Sequence, residues 1–161
     1  MRTSRRRFPF NIGSHSIEVD VEAPRLMQSN IRTGDGNIVA GSLGGSLEAT
    51  TGGGNLNVRG RLDSLNLRSG DGGINVEVLP GSKIASSWRV ESGDGSVTVR
   101  LPRDFTADLD LHTGDGSISV DFPLTTTAGG RSEHDLRARL NASGAPIYIR
   151  TGDGSIRLAR P

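Results

Sequence analysis

Apolar and polar residues alternate with a period of two along most of the chain. The alternation is clear in Leu65 and Leu67 and in Ile74, Val76 and Val78, which are separated by single polar residues. This period places every second side chain on one face of an extended strand, so it predicts half-buried β-strands. No segment shows a helical period, and we expect an all-β protein with very little helix.

A Thr/Ser-Gly-Asp-Gly motif recurs between these strands, with Gly-Gly-Gly in the second copy. Its first glycines follow one another at 18, 18, 23, 21 and 38 residues. Glycine tolerates the positive φ of a sharp reversal, so each motif predicts a corner. We expect the preceding Thr or Ser to face inward and to bond a nearby backbone group. The corner glycines are Gly34, Gly36, Gly52, Gly54, Gly70, Gly72, Gly93, Gly95, Gly114, Gly116, Gly152 and Gly154.

Two all-β architectures fit this repeat. In a β-solenoid, each unit of about 18–23 residues is one coil, and equivalent strands of successive coils pair in parallel. In an antiparallel β-sandwich or meander, each Gly-Asp-Gly is a hairpin loop. The regular spacing and the small aliphatic core favour the single-domain solenoid.

The last spacing, between Gly114 and Gly152, is about twice the others. It predicts one degenerate unit, whose strand is the alternating segment 136–140. The polar segment 125–133 is predicted to be a loop. Turns on the side opposite the corners are expected at 41–45 and 79–82.

Composition excludes several classes of protein. The net charge is +1 and aromatic residues make up 4%, so neither a basic field nor an aromatic platform favours nucleic-acid binding. The absence of cysteine excludes disulfides and thiolate metal sites, and no apolar run approaches a membrane span. Residues 1–14 form a basic tail, and residues 15–161 form the repeat domain. Arg5–Arg7 are not followed by an apolar stretch, so they do not predict a signal peptide.

One aspartate stands at the centre of five of the six corners. In a solenoid these side chains would stack about 5 Å apart, where like charges repel unless solvated or bridged by a cation. Calcium is the candidate cation, and the alternative is that the aspartates serve turn geometry and point into water. We also expect Arg32, Arg68 and Arg150, which precede the corners, to pair with them. The candidate aspartates are Asp35, Asp71, Asp94, Asp115 and Asp153.

Catalytic signals are weak. His112 and His134 are predicted to lie on the surface, and neither a nucleophile elbow nor a phosphate loop occurs. We predict no catalytic residue and no cofactor. Paired carboxylates on a β-helix can cleave polysaccharides, which keeps a lyase or hydrolase as an alternative.

The repeated Thr/Ser-Gly-Asp-Gly-x-Ile/Val, together with the closing segment 140–156, resembles the bacterial "putative adhesin" domains of unknown function. These are β-strand-repeat domains similar to head GIN and auto-transporter adhesin domains, and the resemblance covers residues 16–158. It implies a solenoid-like fold and a cell-envelope or extracellular setting, and it carries no catalytic residues.

These observations lead to one main functional hypothesis. The chain is predicted to be a non-catalytic structural or adhesive module that presents a rigid repetitive surface to a glycan or protein partner. A self-assembling scaffold, in which exposed solenoid ends pair with each other, is a further alternative.

Overall fold

Two long strands pass through both walls of the fold and set its architecture. The computed structural model describes residues 17–18 and 27–161, so the predicted basic tail 1–14 lies outside the described residues. β3 (Ile38–Thr51) and β4 (Leu56–Ser69) pair in parallel almost throughout, and each bends from one wall into the other. The other strands are β1 (Ile17–Glu18), β2 (Met27–Thr33), β5 (Ile74–Val78), β6 (Trp88–Ser92), β7 (Val97–Arg100), β8 (Ala107–Thr113), β9 (Ile118–Val120), β10 (Leu124–Arg131), β11 (Asp135–Leu140), β12 (Pro146–Thr151) and β13 (Ile156–Ala159).

The corners divide these strands into two walls. The leading wall contains the strands that run into the corners, in the order β2, β3, β4, β6, β12, β8, β11 and β10. The trailing wall contains those that leave them, in the order β1, β3, β4, β5, β7, β13 and β9. Neighbouring coils pair in parallel, so the chain is an all-β solenoid. The corners are not hairpin loops.

The corners stack in one file, but their order in space departs from their order in the sequence. The backbone N–H of Gly52 bonds to Gly34, and that of Gly93 bonds to Gly70. The last corner then intervenes, because Gly152 bonds to Gly93 and Gly114 bonds to Gly152. The expectation that coils stack in sequence order is therefore wrong at this position.

The C-terminal coil is inserted between two earlier coils. Its strand β12 pairs in parallel with both β6 and β8, and β13 pairs in parallel with both β7 and β9. The last repeat thus gains two ladder partners instead of forming an exposed end. Because the last coil has a neighbour on both sides, its core side chains are fully buried, and Ile149 and Ile156 have no exposed surface.

An antiparallel hairpin occupies the long spacing where a degenerate coil was expected. Segment 136–140 belongs to β11, which pairs antiparallel with β8 and with β10. The predicted loop 125–133 is also wrong, because β10 covers most of it. Alternation in 136–140 predicted a strand correctly, but alternation cannot tell a parallel partner from an antiparallel one.

The side opposite the corners is only partly made of turns. Gly81 has a φ of 88° in a turn before β6, as expected for 79–82. Segment 41–45, in contrast, lies inside β3, where a bulge follows Ala40 and Ser42 has a φ of 55°. A bulge bends a strand without ending its pairing, which explains why the predicted turn is absent.

The core fills the narrow space between the walls with aliphatic side chains from every coil. The aromatic exceptions are Trp88 and Phe105, whose ring centroids lie 5.4 Å apart. The indole N–H of Trp88 donates to the carbonyl of Asp63 at 3.3 Å, which satisfies its polar atom inside the core. The polar side chains of both walls point outward, to the surface of the solenoid.

Candidate binding surfaces

The corners require glycine because they stack closely. A Cβ added to Gly72 would lie closer than 3.0 Å to the carbonyl oxygen of Gly54, and one added to Gly95 would meet Gly72 in the same way. Among the described glycines, positive φ occurs at Gly45, Gly81 and Gly129 and at none of the corners. The prediction that the corners need glycine for positive φ was therefore wrong.

A file of buried hydroxyls joins each corner to its neighbour. The Ser92 hydroxyl donates to the carbonyl of Gly72 in the adjacent coil at 3.0 Å and accepts from Gly95 N–H at 3.1 Å. An equivalent hydrogen bond, to the carbonyl of the second corner glycine in the adjacent coil, is donated by Thr51, Ser69, Thr113 and Thr151. The inward Thr or Ser predicted from the motif is confirmed, and it bonds between coils as well as within one.

The corner aspartates form an exposed file outside these hydroxyls. In space the file runs from Asp35 past Gly53 to Asp71, Asp94, Asp153 and Asp115, and every member is exposed. The backbone N–H groups of all members after Asp35 bond to the neighbouring coil, as Asp115 does to Gly152 at 3.0 Å. Within residues 17–18 and 27–161 no three acidic or imidazole side chains form a group suited to a metal ion. A calcium role for this file stays a prediction.

The arginines beside the corners pair with glutamates across the wall. Arg32 lies 3.4 Å from Glu48, and Arg68 lies 3.1 Å from Glu91. Arg150 has no ion pair among the described side chains, although it stands between Glu91 and His112 in the ladder. The predicted pairing with corner aspartates is wrong, because outward side chains of paired strands meet each other before they reach a corner.

The outer face of the leading wall carries one aromatic side chain in a field of charges. Tyr148 is half-buried, and its ladder partners are Arg89 and Asp110. The Arg89 guanidinium carbon lies 5.9 Å from the centroid of the Tyr148 ring. Sequence reasoning missed this site, although Tyr148 stands in the outward phase between Ile147 and Ile149.

Ion pairs across the strands fix the side chains around Tyr148. Asp110 lies 3.5 Å from Arg137, and Asp108 lies 3.4 Å from Arg139. Each is an exposed pair, which contributes about 0–1 kcal/mol and orients the groups more than it stabilises the fold. We call Tyr148, Arg89, Asp110, Arg137 and Arg150 the tyrosine face.

The two C-terminal histidines lie where the hairpin meets the last coils. His112 Nδ1 lies 2.7 Å from an oxygen of Asp135, and Ser132 donates to the other oxygen at 3.3 Å. The hydrogen bond from His112 lowers the pKa of Asp135 below its ordinary value, with a smaller contribution from Ser132. His134 is half-buried, with Nδ1 3.2 Å from the carbonyl of Gly116, so only His112 is exposed as predicted.

A family model named Toastrack DUF4097 matches residues 9–159. The chain belongs to the Toastrack family. This is a family of unknown function, so membership supports the expected β-strand repeat and assigns no reaction. No protein of the curated set matches the chain. The described part of this Toastrack chain contains no helix long and apolar enough to cross a membrane.

A solved structure shares the Toastrack fold. It is described as a putative cell adhesion protein from Clostridium sporogenes ATCC 15579, and it superposes with a TM-score of 0.57 at 16% sequence identity. The match covers 78% of this chain and 56% of that one. The chain therefore spans little more than half of that neighbour, and the likeness shows the fold.

Proposed function

We propose that this Toastrack domain is a non-catalytic adhesive module of the bacterial cell surface and that its tyrosine face binds a glycan. The observation that carries the proposal is the half-buried Tyr148 ring on the outer face of the leading wall, beside the guanidinium of Arg89 and the carboxylate of Asp110. Sugar rings stack on aromatic faces through their apolar C–H groups, while their hydroxyls bond to charged side chains. The adhesion name of the structural neighbour and the resemblance to head GIN and auto-transporter adhesin domains support the surface setting.

The rigidity of the wall suits repeated weak contacts. Parallel ladders hold the outward columns about 4.8 Å apart, so a chain-like ligand meets side chains at fixed intervals. Several weak contacts on one rigid surface raise the overall affinity above that of any single contact. A protein partner would be held by the same geometry, but the aromatic ring among hydrogen-bonding groups favours a glycan.

The polysaccharide-cleaving alternative has less support from the described residues. A general acid needs a carboxyl whose pKa is raised, whereas the pKa of Asp135 is lowered by His112. Asp110 and Asp108 are each engaged by an arginine across the strands, at 3.5 Å and 3.4 Å, so neither carboxylate is free of a protein partner.

Binding to an array of bacterial surface glycans and to polygalacturonate tests the proposal. The probes are the wild-type chain, Tyr148→Ala, and Val39→Ala as a matched apolar control, because Val39 is exposed on the outer face of the other wall. We expect the wild type and Val39→Ala to bind the same glycans and Tyr148→Ala to bind at least about tenfold more weakly. Equal binding by all three variants, or no glycan bound, contradicts the tyrosine face. Release of unsaturated product from polygalacturonate would favour the lyase alternative.

A further inference from the structure

The two walls end unevenly beside the last coil. The leading wall continues past β8 with β11 and β10, whereas the trailing wall ends at β9. Among the described residues no strand pairs with the outer edge of β9. Its free N–H and C=O groups therefore line a gap that faces the inner side of the hairpin, and a free edge of this kind accepts a further strand.

The apolar positions along this gap are incompletely covered. Ile118 and Val120 are half-buried, while Ile156 and Leu158, at the same repeat positions one coil away, are 0% and 1% exposed. A groove of about 550 Å³ runs along β9, and its apolar lining consists of Ile118, Val120, Phe122, Leu124 and Leu136. The end coil thus carries apolar side chains at core positions, but these side chains are packed on one side and open to the groove on the other.

We propose that this groove binds the N-terminal segment of a second copy of the chain, with residues 8–12 added as a strand parallel to β9. The segment reads Phe8-Pro9-Phe10-Asn11-Ile12, so its apolar side chains alternate as the groove requires. Pro9 lacks a backbone N–H. Because the backbone groups of successive residues in a strand point to opposite edges, those of Pro9 can point away from β9, where no hydrogen bond is needed.

Charge complementarity fixes the direction of the added strand. In the parallel direction, Arg5–Arg7 precede Phe8 just as the corner precedes β9. They would meet Asp115 and Asp153 of the aspartate file and Glu133 at the rim of the groove, three carboxylates against the single guanidinium of Arg131 in the lining. This contact gives the basic tail a partner that the acidic file supplies.

The length of the chain requires a second copy. β1 lies at the opposite end of the trailing wall, six strand spacings or about 29 Å from β9. Five residue steps separate Ile12 from Ile17, and they span at most about 18 Å. Residues 8–12 therefore cannot reach the groove of their own chain. A contact between opposite ends leaves one groove open, so copies can add in series.

Sedimentation velocity of the full chain over a range of concentrations tests the association. We expect the weight-average sedimentation coefficient of the wild type to rise with concentration. The sedimentation coefficient of Phe8→Ser/Phe10→Ser should stay at the value of the monomer. A peptide of residues 3–16 should return the wild type to monomers. A wild type that remains monomeric, or a double variant that associates as strongly as the wild type, overturns the proposal; the second result would mean that another surface joins the copies.

Direct peptide binding locates the contact. The labelled peptide should bind the Phe8→Ser/Phe10→Ser chain, whose groove is unchanged, and added salt should weaken binding because charges contribute. Adding Val120→Asp to this chain should weaken binding at least about tenfold, while Val39→Asp should not change it. Circular dichroism checks that both variants fold. Equal binding by both overturns the groove as the site; the tyrosine face is not involved in either assay, so its glycan test is separate.

Discussion

Substituting one corner glycine tests whether close stacking holds the coils together. In Gly72→Ala the new methyl group meets the carbonyl of Gly54 in the coil beside it at less than 3.0 Å. That carbonyl also accepts a hydrogen bond from the Ser69 hydroxyl at 3.0 Å. The Ser69 hydroxyl oxygen in turn accepts a hydrogen bond from the backbone N–H of Gly72 at 3.0 Å. The backbone of one coil must therefore move away from the other, and both hydrogen bonds lengthen.

The magnitude follows from these contacts. Forcing an extra methyl group into a packed site costs about 1–3 kcal/mol. Each weakened hydrogen bond costs about 1 kcal/mol more. Alanine lowers the entropy of the unfolded chain, which returns about 0.4–1 kcal/mol. We expect a net loss of about 3 kcal/mol in the free energy of unfolding, or about 6–12 °C in Tm for a chain of this length.

The matched control is Gly34→Ala, in the first corner of the file, where an added Cβ has no neighbour within 4 Å among residues 17–18 and 27–161. Neither glycine has a positive φ, so the two substitutions differ in stacking and not in backbone conformation. Urea unfolding followed by far-ultraviolet circular dichroism gives the free energy of unfolding of both variants. A difference below about 0.5 kcal/mol between the two variants would refute the stacking argument.

Three further predictions concern the corners and the hairpin. Ser92→Ala leaves the buried carbonyl of Gly72 and the N–H of Gly95 without their partner. Thermal unfolding should therefore show a loss of about 1–3 kcal/mol in the free energy of unfolding, against less than about 0.5 kcal/mol for the control Ser86→Ala, whose hydroxyl is exposed. Equal losses in the two variants would count against the hydroxyl file. Because the folded pKa of Asp135 is lowered, its contribution to stability is present above the unfolded pKa and is lost as the pH falls below about 4. Asp135→Asn should therefore be less stable than the wild type at pH 7 and converge with it in acid, and a constant difference across pH would show that His112 does not act through the charge. If the aspartates only serve turn geometry, calcium and sodium chloride at equal ionic strength should raise Tm equally, by screening. A larger rise with calcium would show the bound cation that the calcium prediction requires.

The sequence alone predicted most elements of this fold, though not β10 or the continuous course of β3, because most of them depend on local chemistry. Alternation placed the strands and the inward residues, as at Ile74 and Val76. The repeated motif placed the corners and the inward hydroxyls, since a corner of fixed shape needs the same small residues in every coil. It also predicted parallel pairing of successive coils, as β3 and β4 show.

Only the tertiary structure decided how the coils are ordered and what their outer faces bring together. Every corner carries nearly the same residues, so local pattern cannot specify that Gly152 stacks on Gly93 and Gly114 on Gly152. That choice depends on long-range pairing, through which the hairpin β10–β11 extends the leading wall past β8 and leaves β9 without a further strand among the described residues. The same insertion places Tyr148 between Arg89 and Asp110, residues far apart in sequence, because side chains on a sheet meet according to ladder register and not chain distance.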